Sequence, residues 1–439
     1  MLQTIDLRDL DLDDYAALLP RGSFDVDQAL AVVQPICRAV AEEGEAALLR
    51  FSQRFDGVVP PSWRVDPELA RRAAQDLPVD LRQALELAIA RRRAVAAVEA
   101  DCPDRRVELA PGATVTIRSQ PVGRVGLYVP GGLAPLASSV IMNVVPAQAA
   151  GVASIALASP PQADHGGWPH PTILATCHLL GVEEIYAVGG AQAIALLALG
   201  VPGLCRPVDV VSGPGNVYVA AAKRALRGKV GIDSEAGPTE IAILADAAAD
   251  PDLVAADLLS QAEHDPMAGA VLVTDSPELA ARVDQALAQR AGRTRHRDRV
   301  RKALGGPQSG VLLVRDLEQG LAVVNAYAAE HLEIMTADPA RVAARVVNAG
   351  AIFIGPSAPV SLGDYAAGST HVLPTGGAAR HSSGLTVASF RKVVHLIDYD
   401  AAALAAIGPA VERFAWAEDL PAHAAAVTAR LDPARRADR

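Results

Sequence analysis

Ten short runs, nearly all apolar and rich in β-branched residues, limit the folds open to this chain more than any other feature. Arg124 to Val129, Ser154 to Ala158, Glu184 to Val188, Asp209 to Val211 and Lys229 to Ile232 form one series. Glu240 to Leu244, Ala270 to Thr274, Gly310 to Val314, Leu332 to Met335 and Ala351 to Ile354 form a second. A strand without a polar face must be covered on both sides, which is the condition of a parallel sheet flanked by helices. The Ala-rich intervals between runs supply those helices as βαβ crossovers. The pattern predicts an α/β protein with two Rossmann-like domains, mainly parallel sheets, and small helical segments at both ends. No clean sequence repeat accompanies the two series.

The expected division is an N-terminal segment at 1–22, then a discontinuous first α/β domain from 23–127 and 238–385. A second α/β domain takes 128–237, and a helical tail takes 386–439. Two helical stretches come early, Asp25 to Phe55 ending at a Gly57 cap and Asp66 to Ala100 broken at Pro78. Residues 356–385, rich in Gly, Ser, Pro and Thr, are too long for a plain connector and read as a functional loop.

Composition narrows function. Of the 439 residues 51% are hydrophobic but only 4% aromatic, so the cores are built from Ala, Val, Leu and Ile. The formal charge of −10 argues against a nucleic-acid partner. The basic run from Arg293 to Lys302, interrupted by Asp298, reads as a solvated face. Cys37, Cys102, Cys177 and Cys205 show no paired spacing, which fits a reducing, cytoplasmic setting. Ser138 to Leu157 contains Asn143, Pro146 and Gln148 and reads as core rather than membrane span. No basic, then apolar, leader opens the chain.

Three groups of residues suggest chemistry. Gln261 and His264 are spaced to share one helical face; with Asp364 and His423 they offer nitrogen and oxygen donors suited to zinc. Each has a plainer explanation: a helix-end histidine satisfied by a carbonyl, a loop Asx-turn, an exposed first-turn histidine. Glu330-His331 pairs a base that works near neutral pH with a carboxylate; the same pair also suits a solvated helix C-terminus. Glycine turns follow strands at Tyr128-Val129-Pro130-Gly131-Gly132, Val188-Gly189-Gly190-Ala191-Gln192 and Gly213-Pro214-Gly215-Asn216. Such turns admit a ligand close to backbone and expose helix N-terminal amides to phosphate. No GxGxxG, GxxxxGK, HExxH or CxxC occurs, which removes the commonest nucleotide and zinc fingerprints.

Taken in order, YVPGG at 128–132, GGAQA at 189–193, GPGNVYVAAAKR at 213–224, AGPTE at 236–240, SQAEHDP at 260–266, EHLE at 330–333, GDY at 363–365 and HVLPTGG at 371–377 resemble histidinol dehydrogenase. The resemblance spans nearly the whole chain. It implies oxidation of L-histidinol through L-histidinaldehyde to L-histidine with two NAD+ reduced. It implies one Zn2+ per site on Gln261, His264, Asp364 and His423, with His331 as base and Glu330 activating water. Substrate contacts fall on Thr239, Gln261, His264, His331, Asp364, His371, Glu418 and His423, and NAD contacts on Tyr128, Gln192 and Asn216. The implied assembly is a homodimer with shared sites, Glu418 and His423 coming from the other chain. Four positions depart from the family's usual residues: Thr239 for serine, Thr370 for asparagine, Asp419 for glycine and Ala329 for proline. Asp419 is there expected to cap the helix opening near Pro421. A relative acting on another amino alcohol or sulfonate, and a zinc-stabilised binding scaffold, are the competing readings.

Overall fold

All ten apolar runs form strands. The computed structural model describes residues 1–12, 15–22, 26–131, 135–235 and 237–431. The chain divides into two compact units, one of Met1–Ala100 with Val122–Phe390, the other of Asp101–Pro121 with the chain from Arg391 onward.

Both parallel sheets belong to the first unit. One runs in the order Ile185–Ala187, Ser154–Ser159, Arg124–Tyr128, Val210–Ser212, Gly231–Ile232, with every neighbour parallel. The other runs Gln3–Asp6, Gly310–Leu313, Gly269–Thr274, Glu240–Ala245, His331–Met335, Ala351–Ile354, again all parallel. Apart from the added edge strand Gln3–Asp6, the two sheets share one winding. Each starts in the middle, adds two strands to one side, then reverses and adds two to the other. The duplication is thus one of topology, and each reversal is a switch point of the kind whose carboxyl edge doubly wound sheets use for ligands.

The central strands Arg124–Tyr128, Glu240–Ala245, Gly269–Thr274 and His331–Met335 are buried at every residue. Burying one Val, Leu or Ile side chain is worth about 1.5–3 kcal/mol, so aliphatic layers suffice without aromatics. Helices begin on a recurring device. Asp66, Asp250 and Ser276 each accept a backbone N–H with their side chain, and each is followed by proline, whose fixed φ suits the first helical position. The two early helical stretches are Val26–Glu43 plus Glu45–Phe51, split at Gly44 with φ 59°, and Pro67–Gln75 plus Val79–Glu99, split at Pro78. Gly57, at φ 69°, ends the first stretch as expected.

The tail from 386 is not purely helical, which corrects the expectation. Arg391–Tyr399 is a strand, antiparallel to Ala113–Pro121 over nine residue pairs, and Ala113–Pro121 pairs in turn with Arg105–Ala110. The β-branched Val393, Val394 and Ile397 favour that ladder. Helices Ala401–Ala417 and Pro421–Leu431 follow. Asp419 adopts φ 57°, a left-handed conformation that accounts for glycine being usual there and that aspartate tolerates better than most residues.

One buried acid affects stability. Glu333 is fully buried, and burial, reinforced by Asp257, pushes its carboxyl up to about 9. The folded state therefore holds this proton from about pH 4.5 to 9 while the unfolded state releases it. Stability is full below the unfolded value and falls as pH rises through that window, by up to about 1.4 kcal/mol per pH unit. Glu333→Gln is expected to narrow the Tm drop between pH 5 and pH 8; an unchanged drop in thermal melts would refute the assignment.

Candidate active site

The catalytic candidates gather at the amino ends of strands in the six-stranded sheet. Thr239 precedes the strand Glu240–Ala245, and Glu330 precedes the neighbouring strand His331–Met335. Gln261 lies in the last turn of the helix Pro251–Ala262. His264 falls beyond the helix, in a turn whose N–H donates to the Gln261 carbonyl at 3.2 Å. Asp364 comes from the short helix Val360–Tyr365, inside the segment expected to be a functional loop.

His331 is set up as a neutral base. Its Nδ1–H donates to the Glu240 backbone carbonyl at 3.2 Å, which places the lone pair on Nε2. That Nε2 is buried with no hydrogen-bond partner among the described residues, 4.0 Å from Asp364 Oδ1. Burial lowers the imidazole's affinity for a proton. The orienting group is thus Glu240's carbonyl rather than the Glu330 carboxylate, whose Oε2 lies 3.6 Å from Nδ1.

Glu330 has a different task. Its Oε2 accepts from Thr239 Oγ1 at 2.6 Å and from Glu240 N at 3.0 Å. Burial outweighs these donors and pushes its carboxyl up to about 7, suited to taking a proton near neutrality. Thr239 also accepts from Gln261 Nε2 at 2.5 Å, so its hydroxyl joins the carboxylate to the amide. The threonine's retained hydroxyl, the group it shares with serine, makes both bonds.

The donor set fits a metal. With its nitrogen committed to Thr239, Gln261 leaves Oε1 buried and without a hydrogen-bond partner among the described residues. His264 Nε2 and Asp364 Oδ2 stand 3.8 Å apart, a separation two ligands of one ion can close. The nearby Asp364 carboxylate draws the His264 proton affinity up. At Asp364 burial pushes upward, but the nearby His264, His331 and His371 prevail and hold it low. Among the described residues no group of three His, Cys, Asp or Glu suited to a metal occurs; the candidates here are one amide, one imidazole and one carboxylate.

His371 has both ring nitrogens engaged, Nδ1 with the Asp364 carbonyl at 3.0 Å and Nε2 with Ser139 Oγ at 3.1 Å. Glu418 and His423 belong to the second unit, where both are exposed.

The residues expected at the cofactor sit at the carboxyl edge of the five-stranded sheet, around its reversal. Tyr128 ends the central strand and its hydroxyl accepts from Gly190 N at 3.0 Å. Gln192 lies in the first turn of the helix Gly190–Leu199 and donates to Asp56 at 3.4 Å. Asn216 caps the helix Val217–Leu226, accepting from Tyr218 N and Val219 N. Two helix N-termini therefore face this edge, with amides suited to phosphate. Glu240's carbonyl, Ser139 and Asp56 escaped the sequence reading. Only Glu240 had a signal there, as the last residue of AGPTE.

Comparison with known proteins identifies the family. The histidinol dehydrogenase family model matches residues 19–431. Histidinol dehydrogenase of Cutibacterium acnes is 61% identical over 436 residues, covering 98% of this chain and 99% of that protein. The Thermobifida fusca protein of the same name is 59% identical, with 98% of each chain covered. The crystal structure of histidinol dehydrogenase from Elizabethkingia anophelis superposes with a TM-score of 0.90 at 32% identity over 98% of each chain. The chain belongs to the histidinol dehydrogenase family of NAD-dependent oxidoreductases.

Proposed function

We propose that this chain oxidises L-histidinol through L-histidinaldehyde to L-histidine, reducing two NAD+, as the last step of histidine biosynthesis in the cytoplasm. The observation that carries the mechanism is the buried, unpartnered Nε2 of His331 beside Asp364. That nitrogen takes the alcohol proton as hydride passes to the first NAD+. Glu330 then takes a proton from the water that attacks the aldehyde carbon, and the hydrated aldehyde yields the second hydride. In total, alcohol, water and two NAD+ give carboxylate, two NADH and three protons. Gln261, His264 and Asp364, with His423 of a second copy, would hold Zn2+, which supplies orientation of the carbinol rather than redox chemistry. Thr239, His371 and Glu418 complete the substrate contacts in this reading, and Tyr128, Gln192 and Asn216 those to NAD.

A homodimer with shared sites is supported by the second unit's surface. Val393, Ile397, Phe414 and Trp416 are each well over half exposed there, more apolar surface than scattered singles account for. No helix among the described residues is long and apolar enough to cross a membrane.

The test is the amount of NADH formed per L-histidinol consumed. Two supports the reading, and one removes the water-activating role of Glu330. None from zinc-loaded dimer points instead to another amino alcohol. Glu330→Gln should slow the second oxidation about 10²-fold, so that aldehyde accumulates with one NADH in a stopped-flow trace. Sharing of sites is checked by mixing. Inactive Glu330→Gln and His423→Ala chains, unfolded and refolded together, should recover about a quarter of parent activity. No recovery would place His423 in its own chain's site.

A further inference from the structure

A buried polar chain runs from the turn at Gly213 to the loop bearing Asp364 and His371. At its first end Lys223 and Asp233, 1% and 4% exposed in their side chains, form an ion pair. Lys223 Nζ donates to the Gly213 carbonyl at 3.1 Å, and the Gly213 N–H donates to Asp233 Oδ2 at 2.9 Å. Both peptide groups of this residue are thereby held. Its φ is 132° and a Cβ would collide with the Tyr128 carbonyl, so only glycine passes here.

Ser212 makes the next link. Its hydroxyl lies 2.7 Å from Asn143 Oδ1 and 3.1 Å from Asp233 Oδ2, one proton for two acceptors. Asn143 Nδ2 donates to the Ser139 carbonyl at 2.8 Å, which fixes the amide's orientation and turns its oxygen towards Ser212. Asp233 Oδ2 already has the Gly213 N–H, whereas the fully buried Asn143 oxygen depends on Ser212. The serine proton therefore belongs to Asn143. On the far side the Ser139 hydroxyl donates to His371 Nε2, since His371 Nδ1–H is given to the Asp364 carbonyl. Ser139, Asn143 and Ser212 are all fully buried.

We propose that Ser212 and Asn143 are positioning residues that couple the cofactor turn to His371 and Asp364, so that a ligand held at one end tightens binding at the other. The inference rests on reading the Gly213–Asn216 turn as the NAD site. Neither residue belongs to the proposed ligand contacts. Each acts through its neighbours, because a buried acceptor cannot be left without its donor and a displaced turn must carry Ser212 and Asn143 with it.

The experiment uses NADH and L-histidinol, which cannot react with each other, on zinc-loaded parent whose turnover of L-histidinol with NAD+ is measured first. NADH fluorescence titrations with and without saturating histidinol give the coupling factor, which linkage makes the same in both directions. In the parent, histidinol is expected to tighten NADH about fivefold or more. S212A and N143L should bring that factor below about twofold while NADH alone binds within about threefold of parent. T176V removes another buried hydroxyl, one that bonds only within its own helix at Thr172, and should keep the parent's factor. Circular dichroism shows which variants fold, and either S212A or N143L decides. Parent-like coupling in a folded chain variant, loss of coupling in T176V, or a parent without coupling overturns the proposal. A parent that does not turn over histidinol overturns the functional reading itself.

Discussion

Replacing His331 by asparagine is expected to lower kcat by about 10²- to 10⁴-fold, with zinc content and Tm close to the parent's. Asparagine keeps a group able to donate to the Glu240 carbonyl, 3.2 Å from Nδ1, so the strand entry at residue 331 is preserved. What disappears is the Nε2 lone pair that burial keeps free of a proton. His331 is not among the proposed metal donors, which separates base from metal. Steady-state kinetics with metal analysis on one preparation checks this. Near-parent kcat would transfer the base role elsewhere, and parallel loss of zinc would make His331 a ligand. A zinc-stabilised binding scaffold predicts no turnover in the parent at all.

Metal removal is the second large effect. Chelation should cut NADH formation by about 10³-fold or more, equivalent to several kcal/mol of lost transition-state stabilisation, and returned Zn2+ should restore it. His264→Ala should reproduce the loss without rescue, because without the imidazole Asp364 would lose the neighbouring donor 3.8 Å away. Gln261→Ala tests the weaker-looking donor. Its Oε1 has no hydrogen-bond partner among the described residues, while its nitrogen holds Thr239. It should therefore lower zinc retention and also disturb Glu330 through the Thr239 hydroxyl. Unchanged zinc content in Gln261→Ala would mean that the amide serves Thr239 only. Thr239→Ser, which keeps the hydroxyl, should stay within about twofold of parent, whereas Thr239→Val should not.

Fold and site differ in how far the sequence discloses them. The ten apolar runs were legible as strands; for the inner ones burial on both faces leaves the run unbroken, as at Glu240–Ala245. Gln3–Asp6 was missed: its residues are exposed or half-buried, and its partner is Gly310–Leu313. The antiparallel ladder was missed for a similar reason. Arg105–Ala110 is exposed throughout and Arg391–Tyr399 nearly so, so neither shows a core-facing pattern. At the site, Gln261, His264, Glu330, His331 and Asp364 were legible as side chains of suggestive chemistry in a recognisable order. The carbonyl of Glu240 was not, because every residue has one and only the folded register selects it. Nor was Ser139 opposite His371, a contact between residues 232 apart in sequence.

The placement of Gln3–Asp6 against Gly310–Leu313 bears on how the protein is made. The five-stranded sheet uses one continuous stretch, Arg124 to Ile232, and can close while synthesis continues. Gln3–Asp6, made before that stretch, must wait with its edge unpaired until Gly310 has emerged. Chains stalled or truncated before that point carry a complete five-stranded sheet and a loose Gln3–Asp6 strand, the kind of exposed edge that invites intermolecular pairing. Tolerance of substitutions in Gln3–Asp6 should accordingly be decided during translation, before the finished enzyme's stability has any say.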